Sequence, residues 1–334
     1  MGAINDLTKP IDITKVNQAV YDHEDLLVTL DTMAAANVLQ HFTPMSGITN
    51  SIMLGKTSVG AVSRKYTGTF QGEVSKGAIE PRELKVWACV MEMLDEPEKY
   101  RRAYITEVKG GLTTHPFEIW LINYGIKAAS QDLHNVLCTA KRDDSAGKTA
   151  IGDSFNGYGT ILQSEITASK ITTALGNKCA TGVFTRADIG DQLLEMWRKM
   201  PLTFRDKPNQ KLHISADAGD MYDDWMEDHG IMVIGNGAES AGQKFLRNTG
   251  NRLEIVRHTD FPAGSSFAFI TDKSNLIYGY DSDSDFSSMR ATDKEGGVYQ
   301  FAAAGKYVFG MQFRSIDKSE LMVNEQPITP ASAG

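Results

Sequence analysis

The segment Ile231–Gly242, IMVIGNGAESAG, has the residue types that cofactor chemistry would need. An apolar run leads into Gly235-x-Gly237, and Glu254 follows about 20 residues on, the order in which a dinucleotide fingerprint sets its phosphate-cradling glycines and its ribose-binding carboxylate. The third glycine of that pattern falls on Ser240, with Gly242 two places late, and no βαβ repeat continues beyond it. The pattern is therefore read as a glycine-rich turn between strands.

Other chemical patterns fail in similarly specific places. Asp281, Asp283 and Asp285 begin like a calcium loop, but Phe286 stands where the sharp turn needs glycine and Thr292 where the bidentate glutamate belongs. The histidines, His23, His41, His115, His134, His213, His229 and His258, are scattered along the chain with no H-x-x-x-H spacing. Asp217, Asp220, Asp223, Asp224, Glu227 and Asp228 crowd one amphipathic stretch, which reads as a solvated face. Neither a nucleophile elbow nor a phosphate-binding lysine loop occurs. Cys89, Cys138 and Cys179 are odd in number and lack C-x-x-C spacing, so reduced thiols are expected, without a disulfide framework or zinc ribbon. No catalytic residue, cofactor-binding residue, cofactor or metal ligand is assigned, and the chain is not read as an enzyme.

The bulk numbers point the same way. The chain has 334 residues, 41% hydrophobic and 23% charged, and can bury a sizeable core. Its 34 basic and 42 acidic side chains leave a net charge of −8, which argues against a dedicated nucleic-acid binder. Arg64-Lys65 and Arg101-Arg102 read as solvated surface pairs. The segment MGAINDLTKPIDITK has no apolar run of a signal peptide, and Asp6 stands where a myristoylation site wants Ser or Thr. No stretch is apolar over a membrane-spanning length.

What remains is an unusual order of elements. Residues 1 to about 22 are polar and interrupted by proline, an extended arm. Leu26, Leu27, Leu30, Met33, Ala34 and Val38 follow at helical spacing, with Asp22 as cap and Pro44, Ser46 and Gly47 as stop. From Thr57 to Val86 the pattern is a long hairpin. Val62, Arg64, Tyr66, Phe70 and Val74 share one face with two glycines, and Ser63, Lys65, Thr67, Thr69, Gln71 and Glu73 share the other. Such a ribbon is marginal without a surface to lie on. Glu83–Met93 reads as a strand, and Tyr100–Val108 as either helix or strand. A long helix is expected over 115–140, with Phe117, Trp120, Leu121, Tyr124 and Ala128 on one face. Thr185 and Asp188 resemble a capping box opening a helix that Pro201 stops. KLHIS, an acidic helix over Asp217–Asp228, IMVI, LEIVRH, FAFIT and NLIYGY then alternate strand and helix. The tail alternates Tyr307, Phe309, Met311 and Phe313 against Val308, Gly310, Gln312 and Arg314.

This order resembles the major capsid proteins of tailed bacteriophages, the Hong Kong 97-like fold, an α+β class. The resemblance implies an N-terminal arm at 1–45 and an extended β-hairpin, the E-loop, at 46–88. It implies a peripheral (P) domain at 89–184 with its spine helix at 115–140, an axial (A) domain at 185–285, and return strands with a C-terminal tail at 286–334. The phrases RLEIVRHTDFPAGSSFAFITDKSNLIYGYDSDSDF and VYQFAAAGKYVFGMQFRSIDKSELMV carry it most strongly. In that family the E-loop lies across a neighbouring subunit, so Val62, Arg64, Lys65, Tyr66, Phe70 and Val74 become inter-subunit contacts. The resemblance further implies a homo-oligomer of hexamers and pentamers in an icosahedral virion shell, made in the host cytoplasm. A portal, a separate scaffolding protein and a decoration protein are the implied partners. Packaged double-stranded DNA would be touched non-specifically, with no membrane involved. Lys65 lies near the hairpin tip, where some relatives cross-link, but no pattern names its Asn or Glu partner, so it reads as a solvated lysine. The rival readings are an encapsulin-type compartment shell and a nucleotide-binding α/β enzyme.

Overall fold

The computed structural model describes residues 36–59, 77–96, 98–111, 117–208, 210–230, 244–282, 290–293 and 301–329. In chain order these form helix α1 (Ala36–Leu39), strands β1 (Thr43–Met45), β2 (Ser51–Val59), β3 (Gly77–Lys85) and β4 (Trp87–Asp95), and helices α2 (Glu98–Lys109), α3 (Phe117–Val136) and α4 (Tyr158–Thr167). Strand β5 (Lys178–Cys179), helices α5 (Ile189–Lys199) and α6 (Leu202–Arg205), strand β6 (Gln210–Ser215) and helix α7 (Ala216–Asp228) follow. Strands β7 (Leu253–His258), β8 (Phe269–Asp272), β9 (Leu276–Gly279), β10 (Arg290–Asp293), β11 (Phe301–Phe313) and β12 (Leu321–Asn324) complete the α+β fold.

Strand β11 organises the first sheet. It pairs antiparallel with β4 from Phe301↔Asp95 to Phe309↔Trp87, with β10 over Phe301–Ala304, and with β9 over Gly310–Phe313. Strand β1 adds to β9 in parallel. The alternation read from the tail determines its faces: Tyr307, Phe309, Met311 and Phe313 are buried, as one side of a half-buried strand should be. The second sheet runs β5-β12-β8-β6-β7. Strands β5 and β12 belong to it, so a division at 185 and 285 cuts across a hydrogen-bonded sheet. Strands β2 and β3 form a separate two-stranded ribbon.

The second sheet is apolar on both sides. Phe269, Leu321 and Val323 join a core with α3, α4 and the first sheet. Their neighbours Ile270 and Met322, with Leu212 and Ile214, face a second core under α5 and α7. Burial on both faces is why Leu321, Met322 and Val323 of β12 follow one another as an unbroken apolar run.

Of the two readings open for Tyr100–Val108, the helix is the one formed, as part of α2. Several other expectations need correction. The region Glu83–Met93 spans two strands joined at Val86, whose N–H bonds to Asn50 O at 2.9 Å. The long helix covers 20 residues, Phe117–Val136, and turns follow it. Thr185 Oγ1 donates to Asp188 Oδ2 at 3.0 Å, so the two side chains satisfy each other and make no capping box with the backbone. Helix α7 is capped by a residue not anticipated, Ser215, whose Oγ accepts from the Ala218 N–H at 3.1 Å. The expected helix over Leu26–Val38 lies outside the described residues except for its last turn, and so do the IMVI strand and the helix start at Thr114-His115-Pro116.

Candidate functional site

Ribbon strands β2 and β3 pair in simple register from Ser51↔Lys85 to Val59↔Gly77. Successive side chains alternate faces, so Leu54, Lys56, Arg82 and Leu84 share one side and Met53, Gly55, Pro81 and Glu83 the other. The first side is seated on the chain's own body. Leu54 and Leu84 are buried with Ile48, Val86 and Ile277 in a small third core. Gly279 and Gly310 make room for it: a Cβ on Gly279 would press on Ile48, Val86 and Leu84, and one on Gly310 would collide with the Lys85 carbonyl oxygen. Two cations complete the root. Arg82 donates from Nε to Phe313 O at 2.8 Å and from Nη2 to Glu165 Oε1 at 2.8 Å and Gln312 Oε1 at 3.0 Å. Lys56 Nζ donates to Ser319 Oγ at 2.8 Å and lies 3.2 Å from Glu320 Oε1. At the root, then, Leu54, Leu84, Lys56 and Arg82 find their partners within their own chain, while Ile52 on the same face is 42% exposed. The predicted contact residues Val62, Arg64, Lys65, Tyr66, Phe70 and Val74 lie outside the described residues.

Beside the root runs a groove of about 620 Å³ between helix α3 and strand β4, lined by Val90, Met91, Tyr100, Tyr124, Ala128 and Asp132 among others. Two of its apolar lining residues stand open to solvent, Val90 at 53% and Tyr124 at 46% exposed, beside the carboxylates of Glu92 and Asp132. Large apolar side chains gathered this way mark interaction surfaces. The stripe Phe117, Trp120, Leu121, Tyr124 and Ala128 divides between two environments. Trp120 and Leu121 are buried, Tyr124 and Ala128 are exposed, and Phe117 is half-buried. The deeper core face of the helix is Ile119, Ile122, Ile126 and Leu133. Phe117, Trp120 and Tyr124 form a ridge against α2, where Tyr104 packs on Trp120 and Tyr100 on Tyr124, with ring centroids at 5.7 and 5.2 Å. Arg101, expected at the surface, is buried with its guanidinium 5.7 Å from the Phe117 ring centroid.

Several of the remaining polar groups among the described residues find partners within the chain. The acidic face of α7 is bridged by two arginines from other elements. Arg186 forks onto Asp228 at 2.6 and 2.9 Å, and Arg257 reaches Asp223 at 2.6 Å and Asp220 at 3.2 Å. The face is solvated as expected, with Asp220 79% and Asp228 49% exposed, and its carboxylates are ion-paired as well. The histidines are less scattered than their spacing suggests. His213 Nδ1 lies 2.7 Å from His258 Nε2, and the His41 ring stands 6.1 Å from that of His258. Asp260 and Tyr158 extend this seam. No group of three or more His, Cys, Asp or Glu suited to a metal occurs among the described residues. All three cysteines are free and buried. Of the candidate nucleotide turn only Glu254 is described, and it pairs with Lys211 at 3.4 Å and Lys244 at 3.6 Å. Asp281 offers its carbonyl oxygen to Gly47 N, while Asp283 and Asp285 lie outside the described residues. Among those residues no helix is long and apolar enough to cross a membrane.

Comparison with solved structures identifies this architecture. The chain matches the capsid of a native GTA particle, computed with C5 symmetry, at a TM-score of 0.54 and 12% identity, over 89% of this chain and 92% of that one. The capsid of an empty GTA particle matches at 0.51 and 12% identity over 89% and 92%. The procapsid of satellite phage P4, whose structure includes a size determination (Sid) protein, matches at 0.51 and 13% identity over 96% and 92%. No protein-family model and no curated protein matches the sequence. At such identities the likeness is one of fold, and the fold is that of Hong Kong 97-like capsid proteins.

Proposed function

We propose that this protein is the major capsid protein of a tailed-phage or GTA-type particle, copies of which close into the shell of the virion. The observation that carries the reading is the shared fold over 89% of this chain and 92% of a GTA capsid chain. The role is structural, and the reading assigns no catalytic group. The net charge of −8 suits a shell that encloses double-stranded DNA without gripping its phosphates.

The finer assignment follows the same reading. Residues 1–45 are the arm, 46–88 the E-loop, 89–184 the P domain with α3 as spine helix, 185–285 the A domain and 286–334 the return strands. Subunits gather as pentamers and hexamers. The ribbon of one copy, with Val62, Arg64, Lys65, Tyr66, Phe70 and Val74 toward its tip, lies along the groove between α3 and β4 of the next. The exposed apolar side chains of Val90 and Tyr124 in that groove support the placement. A portal, a separate scaffolding or size-setting protein and a decoration protein act on this shell. The size determination protein in the P4 procapsid supports the second of these.

Negative-stain electron microscopy of the purified chain tests the reading. Uniform closed particles are expected, and a chain that stays monomeric at high concentration and in particle lysates overturns it. Nuclease-resistant DNA inside the particles is expected, whereas a folded enzyme cargo would make the shell an encapsulin-type compartment. Deleting Val62–Val74 should leave a folded, soluble subunit that does not assemble. Unfolding of the deletion variant would assign the hairpin to the subunit's own core.

A further inference from the structure

We infer that Lys56 and Arg82 form a two-point clamp that sets the direction in which the β2–β3 ribbon leaves its own subunit. They are positioning residues for assembly and not determinants of the fold; the consequence for particles rests on the shell reading above.

The two cations stand on opposite strands in alternate cross-strand pairs, Leu54↔Arg82 and Lys56↔Glu80, which share the face turned to the body. They reach different elements. Arg82 holds the end of β11, through Phe313 O and Gln312 Oε1, and Glu165 of α4. Lys56 holds the turn that leads into β12, through Glu320 Oε1 at 3.2 Å, Ser319 Oγ at 2.8 Å and Asp317 Oδ2 at 3.7 Å. The apolar root formed by Leu54 and Leu84 attracts without direction. Apolar contacts at one spot leave a ribbon free to pivot. Charge-assisted hydrogen bonds to two fixed elements remove that freedom, because each has a preferred geometry. The side chains of Lys56 and Arg82 are only 20% and 12% exposed, so water screens these bonds weakly.

The acceptors are also prepared for the clamp to open. Glu320 keeps a second cation, Lys207, at 2.8 Å, and Glu165 keeps Lys170 at 3.4 Å. Withdrawing Lys56 or Arg82 therefore does not strand a bare buried carboxylate, the event that makes a broken buried pair costly. The body is stable with the clamp open or closed, and only the ribbon's direction depends on it.

Hydrogen exchange on the unassembled full chain tests the clamp whatever the chain assembles into. Lys56→Met with Arg82→Met should speed amide exchange across 51–59 and 77–85 by about tenfold while leaving β11 and α3 unchanged. Lys56→Arg, which keeps the charge, should leave ribbon exchange close to that of the natural chain. In micrographs the natural chain should give particles of one size and the double variant particles of mixed size or curvature. Unchanged exchange in the ribbon overturns the clamp, and so does faster exchange spread equally over β11 and α3, which would make these residues part of the fold. Absence of particles from the natural chain would overturn the shell reading and leave the exchange result to judge the clamp alone.

Discussion

His213 Nδ1 and His258 Nε2 lie 2.7 Å apart in a seam where both rings are buried. One hydrogen fits between them. Asp260 Oδ1 lies 3.4 Å from His258 Nδ1. Tyr158 OH closes the chain by donating to Asp260 Oδ2 at 2.7 Å. Two of the histidines here, His213 and His41, resist protonation. Burial, then the neighbouring His258, His41 and Lys211, hold His213 well below its usual 6.5. Burial, then Lys211, His258 and Lys273, bring His41 down to about 3.

The pH dependence follows from these depressed values. The unfolded chain binds protons at pH 6.5 and below that the folded chain refuses, so stability is lost as pH falls from 6.5 toward 3. Urea midpoints should fall with pH already in the range between 6.5 and 4.5, before ordinary glutamates titrate. His213→Phe should flatten that dependence while costing about 1–3 kcal/mol at pH 7, because it strands His258 Nε2. A variant with the natural slope would show that the seam does not govern it.

Gly310 allows two backbones to cross. A methyl group there meets the Lys85 carbonyl oxygen, which no rotamer can move aside. Gly310→Ala should cost about 3 kcal/mol or more in urea unfolding. Gly152→Ala, whose Cβ would stand in ordinary contact 3.6 Å from Val136, should change little.

Val90 lies on the open side of the groove and supports no buried core. Val90→Asp should leave the melting temperature within about 2 °C of the natural chain, as surface changes of about 0.5 kcal/mol or less do. It should still abolish or sharply reduce particle formation, scored by light scattering. Normal assembly of a stable Val90→Asp chain would remove the groove from the contact.

The thiols should be silent in the folded chain. Burial raises Cys89 to about 11 and Cys138 well above its usual range, and Cys179 is also raised by burial. A thiol reagent at pH 8 should label none of them in the native chain and all three in denaturant.

Much of this fold is legible in the sequence because single periodicities decide it. Tyr307, Phe309, Met311 and Phe313 alternate over one strand, and Ile189, Leu193 and Trp197 lie on one helix face, so their burial follows from local pattern alone. The failures have physical causes too. Tyr124 and Ala128 share helical spacing with Trp120, yet the groove leaves them open, because spacing gives a direction and not what stands opposite. Ile122 and Ile126, the better core positions, are apolar neighbours of an already apolar helix, and a helix greasy on more than one side hides its deeper face. His213 and His258 are 45 residues apart and meet because their strands lie side by side in parallel, a pairing that no local pattern encodes. The ribbon root was the hardest part to foresee. Lys56 and Arg82 look like surface charges until their acceptors, drawn from α4, β11 and the turn that leads into β12, are in place.

The second sheet is dry on both faces and contributes side chains to both large cores at once. A slab shared in this way has no slip plane, because separating the two halves would wet Phe269 and Leu321 on one side or Ile270 and Met322 on the other. If copies assemble as proposed, a change of curvature must therefore be absorbed at the seams between molecules, with each molecule tilting as a single tile.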